Sequence, residues 1–168
     1  GTLVQRSGTS FLNGSAAAGN VRVDGGTLRL GASDRLADTA AVTVANGATL
    51  ALQGFSDTVG TLALAGTLAG TGTLTAGTYT LDSATLDANL GAGTLIQRSG
   101  TSFLSGIAQA ETVRVDGGTL RLGASDRLAD TAAVTVANGA TLALQGFSDT
   151  VGTLALAGTL SGTGTLAA

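Results

Sequence analysis

The feature that most restricts this chain is its self-similarity. "GTLVQRSGTSFLNG" at residue 1 returns as "GTLIQRSGTSFLSG" at residue 93, and the whole of 1–76 returns as 93–168 with eight substitutions. The offset is 92 residues throughout, and four of the eight substitutions fall between residues 15 and 20, where "SAAAGN" becomes "IAQAET". Residues 1–168 therefore read as a single segment, one full repeat (1–92) and most of a second (93–168). Repetition on this scale predicts a solenoid or array.

A shorter period lies inside the long one. Apolar triplets with a polar middle recur at Val21-Arg22-Val23, Val42-Thr43-Val44, Leu62-Ala63-Leu64 and Tyr79-Thr80-Leu81, and again from Leu95. Cutting there gives coils 20–40, 41–60, 61–77, 78–93 and 94–111, of 21, 20, 17, 16 and 18 residues, together the 92 of the long period. Each coil carries a second apolar mark (Leu28-Leu30, Leu50-Leu52, Leu68, Leu86, Phe103), and most carry a third (Val59, Leu74, Leu90, Ile107). Short turns such as "DGG", "ANG" and "RSG" separate the first two marks. Gly, Asn, Asp and Ser supply the positive φ or local hydrogen bonds of a sharp corner.

Within each strand the period is two, so alternate residues face opposite ways. Helical periodicity is absent, and the β-branched content suits strands. Three short strands per coil predict an all-β fold, a three-faced parallel β-helix of about nine coils. At about 4.8 Å per coil it forms a rod about 43 Å long. One stretch lacks the alternation: "GASDRLADTAA" at 31–41 is expected to leave the wall as a surface excursion with one helical turn.

Composition narrows function by what it omits. Cys, His, Met, Trp, Pro and Lys are absent, all eight basic residues are Arg, and the net charge is −3. No disulfide framework or thiolate metal site is available. The arginines form no basic stripe, which argues against nucleic acid as a partner. No apolar run approaches the roughly 18 residues of a spanning helix, so membrane insertion by this segment is not expected. No signal peptide is visible, and an export signal is expected outside this stretch.

The sequence "GGTLRLGASDRLADTAAVTVANGATLALQGFSDTVGTLALAGTLSGTGTL" resembles repeats in the passenger regions of bacterial autotransporters, and is similar to the filamentous-haemagglutinin-like exoproteins of two-partner secretion. The resemblance runs over essentially the whole chain. It implies a right-handed β-helix and export, through a translocator protein or domain, to the surface of a Gram-negative bacterium. It also implies a role in adhesion, aggregation or surface structure. The family carries no catalytic motif in such repeats, so no catalytic residue, cofactor or metal ligand is carried over. The expected partners are copies of the chain itself or molecules of host or bacterial cell surfaces.

Several residue groups carry side chains capable of chemistry. Arg22 and Arg29, with Asp24 between them, are expected on solvent faces of adjacent strands, and Arg114, Asp116 and Arg121 repeat the arrangement. Such a cluster suits a small anion or a sugar, but solubilising charge explains it as well. Asp34 and Asp38, with Asp126 and Asp130, have the chemistry of a glycosidase pair, and some polysaccharide-cleaving enzymes are β-helices. Loop hydrogen bonds and a local ion pair with Arg35 are the ordinary account, and no enzymatic activity is expected. Asp24-Gly25-Gly26 does not match a calcium-binding nonapeptide. The glycosylation triplet at Asn13 is lost at Ser105 in the second copy, and Gly70-Thr71-Gly72 lacks the Lys of a phosphate loop.

Thr71/Thr73/Thr75 and Thr78/Thr80 raise the possibility of a threonine ladder of the ice-binding kind. The equivalent wall positions of successive coils read Arg22, Thr43, Ala63 and Thr80, a row broken by a charge. The uncharged coil 61–77 and its second copy from Thr153 offer Thr/Ala/Gly faces suited to side-by-side association. Ala63, Thr80 and Ala155 are thus the candidate contact positions, with Arg22, Arg29, Arg114 and Arg121 at their margins.

Overall fold

A computed structural model describes residues 1–168 as an all-β chain without a helix. All strand pairs are parallel, and the stacked coils form a β-solenoid of about nine turns. The first sheet takes one strand from each coil: Thr2–Gln5, Asn20–Val23, Ala41–Val44, Asp57–Leu64, Thr73–Asp82, Thr94–Ser99, Thr112–Val115, Ala133–Val136 and Thr153–Leu156. The second sheet stacks Thr9–Leu12, Thr27–Leu30, Thr49–Gln53, Thr67–Gly70, Thr85–Leu86, Thr101–Leu104, Thr119–Leu122, Thr141–Ala143 and Thr159–Ser161. The third wall is thinner. It is held by the pairs Asp57–Leu74, Leu74–Leu90 and Asp149–Leu166, and by single bridges Ala16–Leu36, Leu90–Ala108 and Ala108–Leu128.

The register of the first sheet follows the sequence cuts: Asn20, Ala41, Thr61, Thr78, Thr94 and Thr112 stand in one row. One place inward, Val21, Val42, Leu62, Tyr79, Leu95 and Val113 form a core column, and each is at most 1% exposed. The second sheet adds the column Leu28, Leu50, Leu68, Leu86, Leu104 and Leu122. These columns belong to one continuous apolar core of 39 buried residues. Burying each Leu contributes about 1.5–3 kcal/mol.

Two corners show why glycine is required. Gly26 has φ +69°, and a Cβ there would strike the backbone of Gly8 in the coil below. A Cβ on Gly72 would run into the carbonyl oxygen of Phe55, and Gly164 stands in the same relation to Phe147.

The structure corrects three expectations. Phe103 is not the inward mark of its coil: it is 41% exposed, while Ser102 and Leu104 are fully buried. Ser102 is tolerated inside because its Oγ accepts the Ala84 N–H at 2.9 Å, so the small polar group is satisfied. Ile107 is only half-buried, and Ala108 fills the core position of the third wall. Residues 31–41 neither leave the wall nor form a helical turn. Leu36 within them is 4% exposed and bridges Ala16. What breaks the alternation there is Asp34, which takes φ +55° and redirects the chain.

The second sheet departs from the others in one respect. Thr9, Thr27, Thr49, Thr67 and Thr85 stand in one row, but the next member is Phe103. The threonine row resumes two residues earlier, as Thr101, Thr119, Thr141 and Thr159. On the first sheet, by contrast, Val21 leads to Val113 with no slip. A local register irregularity between Gln97 and Ser99 lies at the end of the first-sheet strand that precedes the step.

Candidate interaction surfaces

The outward row of the first sheet reads Val4, Arg22, Thr43, Ala63, Thr80, Ile96, Arg114, Thr135 and Ala155. The neighbouring outward row adds Thr61, Thr78, Thr94 and Thr112 beside its central members. Between Arg22 and Arg114 these two rows form an uncharged strip of hydroxyl and alkyl groups, flanked by Asp82 and Arg98 at the strand ends, with Ala63 exposed and Thr80 half-exposed. Ala155 is exposed in the last strand of the same sheet.

The expected Arg22–Asp24–Arg29 cluster divides around a corner. Arg22 is on the first sheet and donates from Nη2 to Asp24 Oδ1 at 3.0 Å, and Arg114 pairs with Asp116 at 3.1 Å. Both are exposed pairs of the kind that contribute about 0–1 kcal/mol. Arg29 and Arg121 stand on the second sheet, each over an aromatic ring: Arg29 Cζ lies 5.7 Å from the Phe11 centroid, and Arg121 Cζ 4.8 Å from that of Phe103. Arg121 also donates from Nη2 to Gln145 Oε1 at 2.6 Å, while Nε of both arginines has no partner. The aromatic faces explain the placement, since a guanidinium is attracted to a ring quadrupole. Arg22 and Arg29 therefore do not share one anion site.

Asp34, Asp38, Asp126 and Asp130 are exposed on the third wall. The expected ion pair with Arg35 does not form. Arg35 donates from Nε to the Ser33 carbonyl and from Nη1 to the Asn13 carbonyl, and Arg127 does the same to Ser125 and Ser105. Beside Asp126 and Asp130 lies an open groove of about 400 Å³, with Leu128 and Ala129 below and Ile107 and Gln109 along its rim.

Sequence reasoning missed two carboxylates. Asp57 and Asp149 point inward and are 2% and 3% exposed. Asp57 Oδ2 accepts the N–H groups of Arg35 (2.8 Å) and Leu36 (3.0 Å), and Oδ1 accepts that of Thr58 (2.9 Å). Asp149 repeats all three bonds with Arg127, Leu128 and Thr150. Burial pushes both carboxyls up from the usual range by more than these bonds pull them down. The signal was present in the sequence: Asp57 stands two residues from Val59, in the same inward phase. Their role is structural, tying one coil to the next. The row Thr9, Thr27, Thr49, Thr67 and Thr85 was not legible either, because coils of unequal length hide which threonines stack.

Arg22 and Arg114 are thus held by carboxylates, Arg29 and Arg121 by aromatic rings, Arg35 and Arg127 by backbone carbonyls, whereas Asp126 and Asp130 at the groove of the third wall belong to no ion pair. No protein-family model, curated protein or solved structure matches the chain.

Proposed function

We propose that this segment is a structural and interaction element of a large secreted bacterial surface adhesin or fibre. It acts as a stiff stalk whose neutral wall associates weakly with copies of itself or with cell surfaces. The observation that supports this most is the uncharged strip of the first sheet from Thr43 to Ile96, which stands on an unbroken core. A flat face of Thr and Ala meets another without burying an unpaired charge. The experiment displays a long array of the repeat on a non-adherent bacterium and scores clumping and surface attachment. The control array carries Ala63→Asp and Ala155→Asp. Clumping or attachment by the unmodified array and its loss in the control is expected. Neither clumping nor attachment by the unmodified array would leave only a passive stalk, and polysaccharide cleavage by the purified segment would overturn both roles.

A second function, ice binding, is favoured by one observation, the five consecutive threonines from Thr9 to Thr85 on the second sheet. The next outward row of that sheet reads Phe11, Arg29, Ala51 and Ala69, so the threonines stand alone with a charge beside them. Ice-crystal shaping abolished by Thr49→Leu would establish it, and unshaped growth would dismiss it.

A further inference from the structure

We infer that the groove on the third wall binds the ammonium group of a lysine side chain carried by a protein partner. This goes beyond the neutral wall of the first sheet and concerns a different face.

Comparison of the two copies inside the chain locates the site. The two copies differ at eight positions, and four of those lie in residues 107–112. Two of the four, Ile107 and Gln109, form the groove's rim, where the first copy has Ser15 and Ala17. The rest of the lining is unchanged: Asp126, Leu128, Ala129, Asp130 and Thr131 correspond to Asp34, Leu36, Ala37, Asp38 and Thr39. The first copy shows no such groove. A constant floor therefore carries a variable rim, and the variation coincides with whether a cavity exists.

The chemistry of the lining selects the ligand. Asp126 and Asp130 are exposed and belong to neither ion pair of the protein. Their neighbour Arg127 is held away by the Ser125 and Ser105 carbonyls at 2.9 Å. The groove thus carries two uncompensated negative charges above an apolar floor in which Leu128 is 3% exposed. An aliphatic stem ending in a cation matches that combination. An ammonium has three divergent N–H donors, and the groove offers two carboxylates and the Gln109 amide oxygen. The planar fork of a guanidinium suits a single carboxylate better than three separate acceptors.

The sequence contains no Lys, so the side chains of another copy of this segment do not supply the ligand. A protein side chain suits the groove better than a free amine because the groove is open rather than enclosed. Small-molecule sites bury most of their ligand, whereas a side chain anchored by its own backbone needs only a trough.

The test titrates the full 168-residue chain, isotopically labelled, with Nα-acetyl-lysine N-methylamide and follows backbone amide shifts by NMR. Shifts are expected at Ile107, Gln109, Asp126 and Asp130 but not at Ser15, Ala17, Asp34 and Asp38, with a dissociation constant on the order of 1–10 mM. The Nε-acetylated derivative should bind at least about tenfold more weakly, because it lacks the charge. Ile107→Ser with Gln109→Ala installs the first copy's rim, which this fold already accommodates. It should weaken binding about fivefold at an unchanged melting temperature, as should Asp126→Asn with Asp130→Asn. Equal binding of the charged and acetylated ligands, equal shifts in both copies, or undiminished binding by the rim variant would overturn the inference. Binding of n-butylamine as tight as that of the lysine derivative would overturn the protein source.

Discussion

Removing the Asp57 carboxylate tests how the third wall is held. Its two oxygens serve three backbone N–H groups, and that of Leu36 is fully buried. In Asp57→Ala the Leu36 N–H loses its partner without access to water, a loss of about 1–3 kcal/mol. The part-buried N–H groups of Arg35 and Thr58 recruit water and add about 0.5–1 kcal/mol each. The sum is about 3 kcal/mol, or a fall in melting temperature of roughly 6–12 °C for a chain of this size. Asp57→Asn keeps an acceptor for Arg35 and Leu36 but turns a donor toward Thr58, and should lie within about 1 kcal/mol of the native protein at pH 7. The pH dependence separates them further. The folded carboxyl is raised above its unfolded value of 3.8, so protonation favours the folded state. The associated stability is fully present below the unfolded value and is lost as the pH rises through the folded one. On acidification through that window the native protein should therefore gain, relative to Asp57→Asn, up to about 1.4 kcal/mol per pH unit. Urea denaturation followed by circular dichroism at a series of pH values measures both effects. An Ala variant as stable as the native chain, or a native protein that loses stability relative to Asn on acidification, would refute the reasoning.

Three further outcomes are expected. Leu64→Asp, at a position 1% exposed, should be severely destabilising, whereas Ala63→Asp next to it should change stability by less than about 1 kcal/mol in thermal melts. Deleting residues 21–112 joins equivalent positions and should leave a shorter folded rod, while deleting 21–66 joins mismatched faces and should abolish the β signal in circular dichroism. Tyr79→Phe removes the hydroxyl that accepts the Ala76 N–H at 2.8 Å and donates to the Ala92 carbonyl at 3.0 Å, and should lower stability by about 1–3 kcal/mol in chemical denaturation.

How much was legible in the sequence depended on whether neighbouring residues carried the signal. The first sheet was readable residue by residue, because Val and Leu alternate with Arg, Thr and Ala in every strand and only one phase buries them. "TSFL" was not, since either phase places one large apolar group inside. The choice fell to a serine that satisfies Ala84 and an arginine that covers Phe103 from the next coil. Asp57 escaped notice because a carboxylate is expected outside unless its partners are known, and two of its three partners lie more than 20 residues away. The groove was hidden for the same reason: Ile107 and Gln109 lie on one coil, Asp126 and Asp130 on the next. Contacts between coils are set by the stacking of whole turns, which local periodicity does not encode.

The two-residue step of the second sheet acts as a dislocation in an otherwise crystalline surface. Each 92-residue unit contains one, between Thr85 and Phe103, and displaces the lattice of hydroxyls sideways by about 6.6 Å. The first sheet has only a local irregularity at Gln97–Ser99, and its rows, like the bridges of the third wall, continue without a two-residue step. In a long array one face would therefore be ruled in terraces five coils deep, while the other two stay continuous. A periodic template such as a crystal face or a second rod would lose registry at every terrace edge on the faulted side. Were such rods to pack side by side, lateral order would be directed to the unfaulted faces, and the fold would set which way a bundle grows.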